Sequence, residues 1–136
     1  MCALSGLLLF PQADQGALTR GPWQAERGRD ALLRMVGAMS QAQAHRGPDD
    51  ATLHQEGPLT LGHRRLSLID LSGGRQPLLS EDGAVQVICN GEIYNHRELR
   101  ALLCGRGHQF RTRSDSEVVV HAYEEWGLEA LSRLRG

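Results

Sequence analysis

The feature that most constrains the fold of this chain is an irregular alternation of β-type and helical stretches along its length. Residues 4–10 form an apolar run that predicts a buried strand. Residues 26–44 repeat apolar side chains at helical spacing and predict an amphipathic helix. Its expected apolar face consists of Leu32, Met35, Val36 and Met39. Because the elements lack the regular strand–helix–strand rhythm of a parallel sheet, we expect an α+β fold with mainly antiparallel strands.

The other predicted elements are short and are bounded by glycine, proline or polar turn residues. Strands are predicted at residues 52–55, 59–61, 66–69, 85–89 and 109–113. Asn95 and Ser114 are each followed three positions later by a glutamate, a capping-box pattern that predicts the start of a helix. We expect the first helix to be capped by Gly105 and the second to end before Gly127. A further helical turn is predicted at residues 128–134.

Composition and charge exclude several classes of protein. The 136 residues are 40% hydrophobic and 23% charged with a formal net charge of −1, which indicates one globular domain and excludes collagen-like, coiled-coil and disordered chains. No basic run exceeds the pair Arg64-Arg65, so we expect no nucleic-acid partner. The apolar run at residues 7–10 stops at Pro11 and is too short for a membrane span or signal peptide. We therefore expect a cytoplasmic protein without membrane association.

Cysteine and histidine spacing predicts neither a metal site nor a disulfide framework. The three cysteines, Cys2, Cys89 and Cys104, form an odd set without a C-x-x-C pair. The six histidines lack H-E-x-x-H or another metal-ligand spacing. We expect surface or core roles for them; they are His45, His54, His63, His96, His108 and His121.

Cys2 is the most informative single residue because of its position. Aminopeptidases remove an initiator methionine when the next residue is small, and the chain would then begin with a cysteine that carries its own α-amine. In general an α-amine titrates at about pH 7.7–8.0 and a thiol at about 8.5, so the amine can accept the thiol proton near neutral pH. Cys2 is therefore a candidate nucleophile. The alternative is a small residue that follows Met1 by chance.

Asn90-Gly91 follows the β-branched stretch 85–89 and permits two interpretations. Such a pair is typical of a type I′ hairpin turn. However, residues 92–95 lead directly into a predicted helix and leave little room for a return strand. The Asn carboxamide and the unhindered Gly N–H then offer two donors to the oxyanion of an acyl-transfer reaction.

Arg65, Glu92 and Asp115 together would suit a zwitterionic amino acid. A guanidinium forms two parallel hydrogen bonds with a carboxylate, and two acids would hold an ammonium group. Each residue also has a simpler interpretation. Arg65 lies on an alternating strand and could be at the surface, Asp115 could stabilise a helix N-terminus, and Glu92 could be solvated.

The motifs taken together resemble a known family. They are, in order, Cys2 and residues 46–49, 62–70, 76–78, 90–95 and 114–118. With them the chain resembles, over nearly its whole length, the glutaminase domain of glutamine-dependent asparagine synthetases. These are class II glutamine amidotransferases within the N-terminal-nucleophile (Ntn) hydrolases. The resemblance implies a four-layer α/β/β/α sandwich with two antiparallel sheets.

The resemblance also implies residue roles. Cys2 would be the catalytic nucleophile, with Asn90 and Gly91 as the oxyanion hole. Arg65 would bind the α-carboxylate of glutamine, and Glu92 and Asp115 its α-ammonium. Residues 46–49 would form a supporting loop. Backbone groups of four consecutive residues would line the pocket: Leu66, Ser67, Leu68 and Ile69.

The implied reaction is hydrolysis of L-glutamine to glutamate and ammonia through a γ-glutamyl thioester. In the family the ammonia passes to an ATP-using synthetase domain. We expect ATP and Mg only in that domain and no cofactor in this chain; residues 72–74 begin like a pyrophosphate-binding loop, but Gln76 and Pro77 replace its Asp and Ser. An alternative is a catalytically inactive remnant or interaction module of the same fold. Another is an Ntn hydrolase that acts on a different amide, which the Arg65 and Asp115 pair disfavours.

Two departures from the family pattern bear on activity. Ala3 stands where the family usually has glycine, and its methyl group could crowd the approach to the pocket. The family pattern also continues past the equivalent of Gly136. We therefore expect residues 1–136 to be a glutaminase domain truncated before its last strands, with the synthetase domain absent. The ammonia acceptor and a possible homo-oligomer stay open.

Overall fold

The computed structural model describes residues 2–8, 25–66 and 74–136, with the backbone alone for residues 25–28. The chain divides into two compact units. We call Cys2–Arg65 the N-terminal unit and Leu66–Gly136 the C-terminal unit. The predicted strand at residues 66–69 lies outside the described residues from Ser67 onward, as does the end of the predicted strand at residues 4–10.

The N-terminal unit is a three-stranded antiparallel sheet covered by one helix. Its elements are β1 (Ala3–Leu8), α1 (Ala25–Ala42), β2 (Asp50–Glu56) and β3 (Leu59–Arg65). The strand order is β1-β3-β2, with β3 in the centre. A tight turn at Gly57, whose φ is 54°, connects β2 to β3. This left-handed conformation favours glycine.

Helix α1 packs on the sheet through a narrower face than the sequence predicts. Leu32 and Val36 are fully buried, whereas Met35 and Met39 are exposed, so the expected four-residue apolar face is only half correct. The helix lies close to the sheet at Gly62, where an added Cβ would be 3.0 Å from Val36 Cγ1. The absence of a side chain at Gly62 therefore permits the close packing.

The C-terminal unit combines a two-stranded antiparallel sheet with helices. Its elements are β4 (Leu78–Leu79), β5 (Gln86–Val87), α2 (His96–Gly105), α3 (Glu117–Trp126), a 3₁₀ turn (Gly127–Glu129) and α4 (Ala130–Arg133). Its core contains Ile93, Leu99, Leu103, Val118, Ala122 and Ala130. The strands of both units pair antiparallel, which confirms the predicted α+β class.

Two predicted strands of this unit are replaced by other hydrogen bonds. Of the strand predicted at residues 85–89 only Gln86 and Val87 form a strand, and the backbone of Cys89 is hydrogen-bonded by the Gln76 side chain instead. Residues 109–113 form no strand, since the Glu117 carboxylate accepts the amides of Arg111 and Thr112 at 2.7 and 2.9 Å. By accepting these backbone N–H groups, the carboxylate supplies the hydrogen bonds that a neighbouring strand would otherwise provide.

Both predicted capping boxes lie where a helix begins, but the predicted capping hydrogen bonds do not form. Helices α2 and α3 begin at His96 and Glu117, yet neither has a side-chain cap hydrogen bond. The Asn95 side chain instead donates to the Arg133 carbonyl and accepts from the Arg135 amide. At the other end of α2 the positive φ belongs to Gly107 rather than Gly105. The predicted helical turn after α3 is confirmed by the 3₁₀ turn and α4.

No helix among the described residues combines the length and apolar character that crossing a membrane requires.

The anchoring of residues 111–112 by Glu117 can be tested by substitution. Glu117 is 2% exposed and also accepts a hydrogen bond from the Thr112 hydroxyl at 2.7 Å. We expect Glu117→Ala to lower the free energy of unfolding by about 3 kcal/mol, since buried donors lose a charged acceptor. Glu117→Gln keeps one acceptor and should cost less. Urea denaturation measures both.

The control is Glu98→Ala, which removes an exposed carboxylate from the first turn of α2. It should change the free energy of unfolding by no more than about 0.5 kcal/mol. Equal losses at positions 98 and 117 would contradict the anchoring role of Glu117.

Candidate active site

The predicted site residues fall in both units, and each unit is described by itself. Cys2 and Arg65 belong to the N-terminal unit, while Asn90, Gly91, Glu92 and Asp115 belong to the C-terminal unit. Of the predicted pocket backbone, Leu66 is described and half-buried; Ser67, Leu68 and Ile69 lie outside the described residues.

Strand pairing brings Cys2 and Arg65 to the same end of one sheet. β1 runs antiparallel to β3, and Ala3 pairs with Arg64. Cys2 and Arg65 each lie one residue beyond that pair. The ladder ends at Ala3 and Arg64, and a continuation of its register by one residue would place Cys2 opposite Arg65. Opposite residues in such a ladder have Cα atoms about 4.5–5.5 Å apart.

The two consecutive arginines differ in what surrounds them. Arg64 donates to the Ser40 carbonyl at 3.0 Å and to Gln41 Oε1 at 2.6 Å, which ties it to the end of α1. Arg65 is 7% exposed, so its interpretation as a surface arginine is wrong. Successive side chains of a strand point to opposite faces, which explains the difference. A buried guanidinium is suited to bind a carboxylate in two-point contact.

His63 lies two residues before Arg65 and therefore on the same face of β3. It is 2% exposed, and among the described residues its Nε2 has no hydrogen-bond partner. Burial lowers the pKa of His63, the Arg65 charge lowers it further, and the Asp50 carboxylate opposes both. Since the pKa falls from a value already below 7, the imidazole is neutral at pH 7. His63 thus adds no positive charge beside Arg65 at pH 7.

The loop at residues 46–49 holds the backbone of Arg65. The Asp49 amide donates to the Arg65 carbonyl at 3.1 Å. A Cβ added to Gly47 would be 2.6 Å from the Arg65 nitrogen and 2.5 Å from the Arg64 carbonyl carbon. Backbone atoms have little freedom to move away, so this position requires glycine.

Gly47→Ala should therefore destabilise the protein by about 1–3 kcal/mol, the usual cost of overpacking. The matched control is Gly37→Ala in helix α1, because among the described residues its Cβ would meet just the Leu53 Cδ1 of β2, at 3.6 Å. Replacing glycine in a helix interior should stabilise by about 0.5–1 kcal/mol. Thermal unfolding of the two variants should move in opposite directions; a shift of the same sign would contradict the close approach at Gly47.

Asn90 and Gly91 lie on an exposed segment between β5 and α2. Within residues 74–136 no strand follows β5, so the hairpin-turn interpretation of Asn90-Gly91 is wrong. A Cβ at Gly91 would meet no atom of the described residues within 4 Å, so packing against that part of the chain does not explain the glycine.

Gln76 anchors Cys89, the residue before Asn90. This role was not predicted from the sequence. Its Oε1 accepts from the Cys89 amide at 2.7 Å, and its Nε2 donates to the Cys89 carbonyl at 3.0 Å. The side-chain amide thereby imitates a neighbouring strand. Gln76 is 6% exposed. The only sequence signal was its place in the motif at residues 76–78.

Gln76→Leu should increase the hydrogen-exchange rate of the Cys89 amide by about tenfold, because the variant removes a buried acceptor. Gln76→Glu is the matched variant, since it keeps an acceptor for the Cys89 amide and loses only the donor. It should change that rate less. Unchanged protection in Gln76→Leu would contradict the anchoring of this segment.

Asp115 fixes the backbone next to Glu92. It is 5% exposed, and its Oδ2 accepts from the Ile93 amide at 2.7 Å. The bond places the Glu92–Ile93 peptide beside the Asp115 carboxylate, just before α3. Glu92 itself is exposed, which is compatible with both of its interpretations. Asp115 is therefore more than an acid at a helix N-terminus.

The chain is similar to known proteins over its full length. A family model described as a glutamine amidotransferase domain matches residues 1–136. Asparagine synthetase [glutamine-hydrolyzing] 2 of Bacillus subtilis (strain 168) is 40% identical over 128 residues, which is 94% of this chain. Asparagine synthetases [glutamine-hydrolyzing] 1 and 2 of Arabidopsis thaliana are 49% and 47% identical over 72% and 83% of this chain. The chain spans 15%, 16% and 18% of the length of these three relatives.

Proposed function

We propose that this chain, which belongs to the glutamine amidotransferase domain family, hydrolyses the side-chain amide of L-glutamine with Cys2 as the nucleophile. The observation that carries the proposal is the register of β1 on β3, whose continuation by one residue would bring Cys2 opposite the buried Arg65. A nucleophile beside a buried cation matches an amide substrate that also carries a carboxylate.

The proposed reaction has two steps. After removal of Met1, the α-amine of Cys2 accepts the thiol proton and the sulfur attacks the amide carbon of the glutamine side chain. Asn90 and the Gly91 amide stabilise the oxyanion. The C–N bond then breaks, the amine transfers a proton to the departing ammonia, and a γ-glutamyl thioester remains. Water hydrolyses the thioester to glutamate and restores the thiol.

Substrate orientation in this proposal rests on opposite charges. Arg65 binds the α-carboxylate through two parallel hydrogen bonds, and Asp115 with Glu92 binds the α-ammonium. Support comes from the burial of Arg65 and Asp115, since electrostatic attraction is stronger away from water. Asp115 Oδ2 accepts from the Ile93 amide at 2.7 Å, and Oδ1 accepts a long hydrogen bond of 3.5 Å from the Ser116 hydroxyl. A carboxylate has about four acceptor positions, so an ammonium can share it with these two donors. Backbone groups of Leu66, Ser67, Leu68 and Ile69 complete the proposed pocket.

We assign the ammonia to an ATP-using synthetase domain of the asparagine-synthesis type. The support is the names of the relatives, which are glutamine-hydrolyzing asparagine synthetases. In this proposal ATP and Mg belong to that domain, the steps in this chain use only its own residues, and the compartment is the cytoplasm.

The test is covalent labelling of the purified protein with a diazo-ketone analogue of glutamine, read by intact mass and N-terminal peptide mapping. We expect one adduct on an N-terminal Cys2 that glutamine prevents. Arg65→Lys should slow labelling by about 10- to 100-fold, because it loses a two-point charged hydrogen bond.

Two controls sharpen the result. Arg64→Lys changes the neighbouring arginine, which is tied to α1, and should leave the labelling rate nearly unchanged. Cys104→Ser removes an exposed thiol and should leave the adduct in place. The proposal would be contradicted if glutamine did not slow the labelling, or if Arg64→Lys and Arg65→Lys changed the labelling rate equally. Retention of Met1 without an adduct would favour the inactive alternative.

A further inference from the structure

Four potential metal ligands converge in the C-terminal unit. Glu81 follows β4, His108 follows α2, and His121 and Glu124 lie on α3. One ligand atom from each residue lies within 4.8 Å of every other. Nothing in the proposed glutamine chemistry uses this cluster, which we call the His₂Glu₂ cluster.

The distances between the imidazole nitrogens and the carboxylate oxygens are close to those around a tetrahedral ion. His121 Nδ1 lies 2.9 Å from Glu124 Oε2 and 3.4 Å from Glu81 Oε2. His108 Nδ1 lies 3.5 Å from Glu81 Oε1 and 3.7 Å from Glu124 Oε2. Tetrahedral Zn²⁺ with bonds of about 2.0–2.1 Å places its ligand atoms about 3.3–3.4 Å apart. The four distances lie on both sides of that value, with Oε2 of Glu81 next to His121 and Oε1 of Glu81 next to His108. One set of four ligand atoms lies within 4.8 Å, so the side chains would have to move closer together to coordinate one ion.

A carboxylate lies behind each imidazole. His108 Nε2 is 3.3 Å from Glu125 Oε2, and Arg106 holds Glu125. His121 Nε2 faces Glu117 Oε1 at 3.8 Å. It is buried and has no hydrogen-bond partner among the described residues. A histidine that binds metal through Nδ1 carries its proton on Nε2 and directs it to such a carboxylate.

The remaining contacts hold the cluster in place and leave one side open. The Gln109 amide donates to Glu81 Oε1 at 2.7 Å, and the Phe110 ring lies 4.4 Å from the His121 ring. The side chains of His121, His108, Glu124 and Glu81 are 1%, 14%, 19% and 33% exposed. The gradient gives a buried base and an accessible edge at Glu81, which an entering ion needs.

We propose that the His₂Glu₂ cluster binds one Zn²⁺ as a structural ion. Two imidazoles and two carboxylates suit zinc, whereas Mg²⁺ prefers oxygen ligands alone. The two ligand carboxylates balance the charge of a divalent cation. The ion would connect the β4–β5 turn and the segment after α2 to helix α3. The ligands come from three elements, so the sequence contains only the local pair His121-x-x-Glu124.

The test is titration of the chelator-treated, full-length chain with Zn²⁺ by calorimetry and with Co²⁺ by absorption spectroscopy. We expect one ion per chain, a tetrahedral Co²⁺ spectrum without a thiolate charge-transfer band, and a higher thermal midpoint with Zn²⁺. The spectrum separates this cluster from the three cysteines, which are thiols. No binding, or a thiolate band, would overturn the proposal.

Variants locate the ion. Glu124→Gln keeps the size of a ligand, and His108→Asn changes a partly exposed one; both should lose the thermal shift. Glu125→Gln acts behind the ligands and should weaken Zn²⁺ affinity by about 10- to 100-fold. Glu98→Gln is the matched surface control and should bind normally. If both ligand variants bound Zn²⁺ as tightly as the unchanged chain, the ion would lie elsewhere and the cluster would be a set of ion pairs without a metal. That result would overturn the proposal.

Discussion

Antiparallel pairing between β1 and β3 determines where the first residues of the chain lie, since each β1 residue has one partner on β3. A shift of one residue would move every side chain to the opposite face. The register is held by α1 above the sheet, with Gly62 permitting the close approach, and by the loop that requires Gly47. This packing fixes the last pair, Ala3 with Arg64, and so the end of the sheet at which Cys2 and Arg65 both lie.

The C-terminal unit is organised in a different way. Its described strands are only two residues long, and buried side chains form many of the backbone hydrogen bonds that longer strands would form with each other. Gln76 bonds Cys89, Asp115 bonds Ile93, and Glu117 bonds Arg111 and Thr112. Each such bond fixes an irregular segment by a side chain close to a helix or strand. The segment with Asn90 and Gly91 is held between two of these anchors.

Glu117, at the start of α3, connects the segment before this helix to the His₂Glu₂ cluster. Its carboxylate fixes residues 111–112, and its Oε1 faces the buried His121. Asp115, two residues earlier, fixes the peptide after Glu92. The start of α3 thus supports both the candidate substrate contacts and the His₂Glu₂ cluster. A buried carboxylate can hold several segments together because it accepts several hydrogen bonds at once.

The sequence by itself determined the helices, the presence of strands in the regions of β2 and β3, the antiparallel class and the identity of the glutaminase motifs. Those features depend on local periodicity, turn residues and motif order, which the chain carries within short segments. Tertiary structure decided that Arg65 is buried and Arg64 is tied to α1, that Met35 and Met39 are exposed, and that Glu117 replaces a predicted strand. It also decided that Glu81, His108, His121 and Glu124 meet. Each of these outcomes depends on residues far apart in the chain, and local patterns contain no information about such contacts.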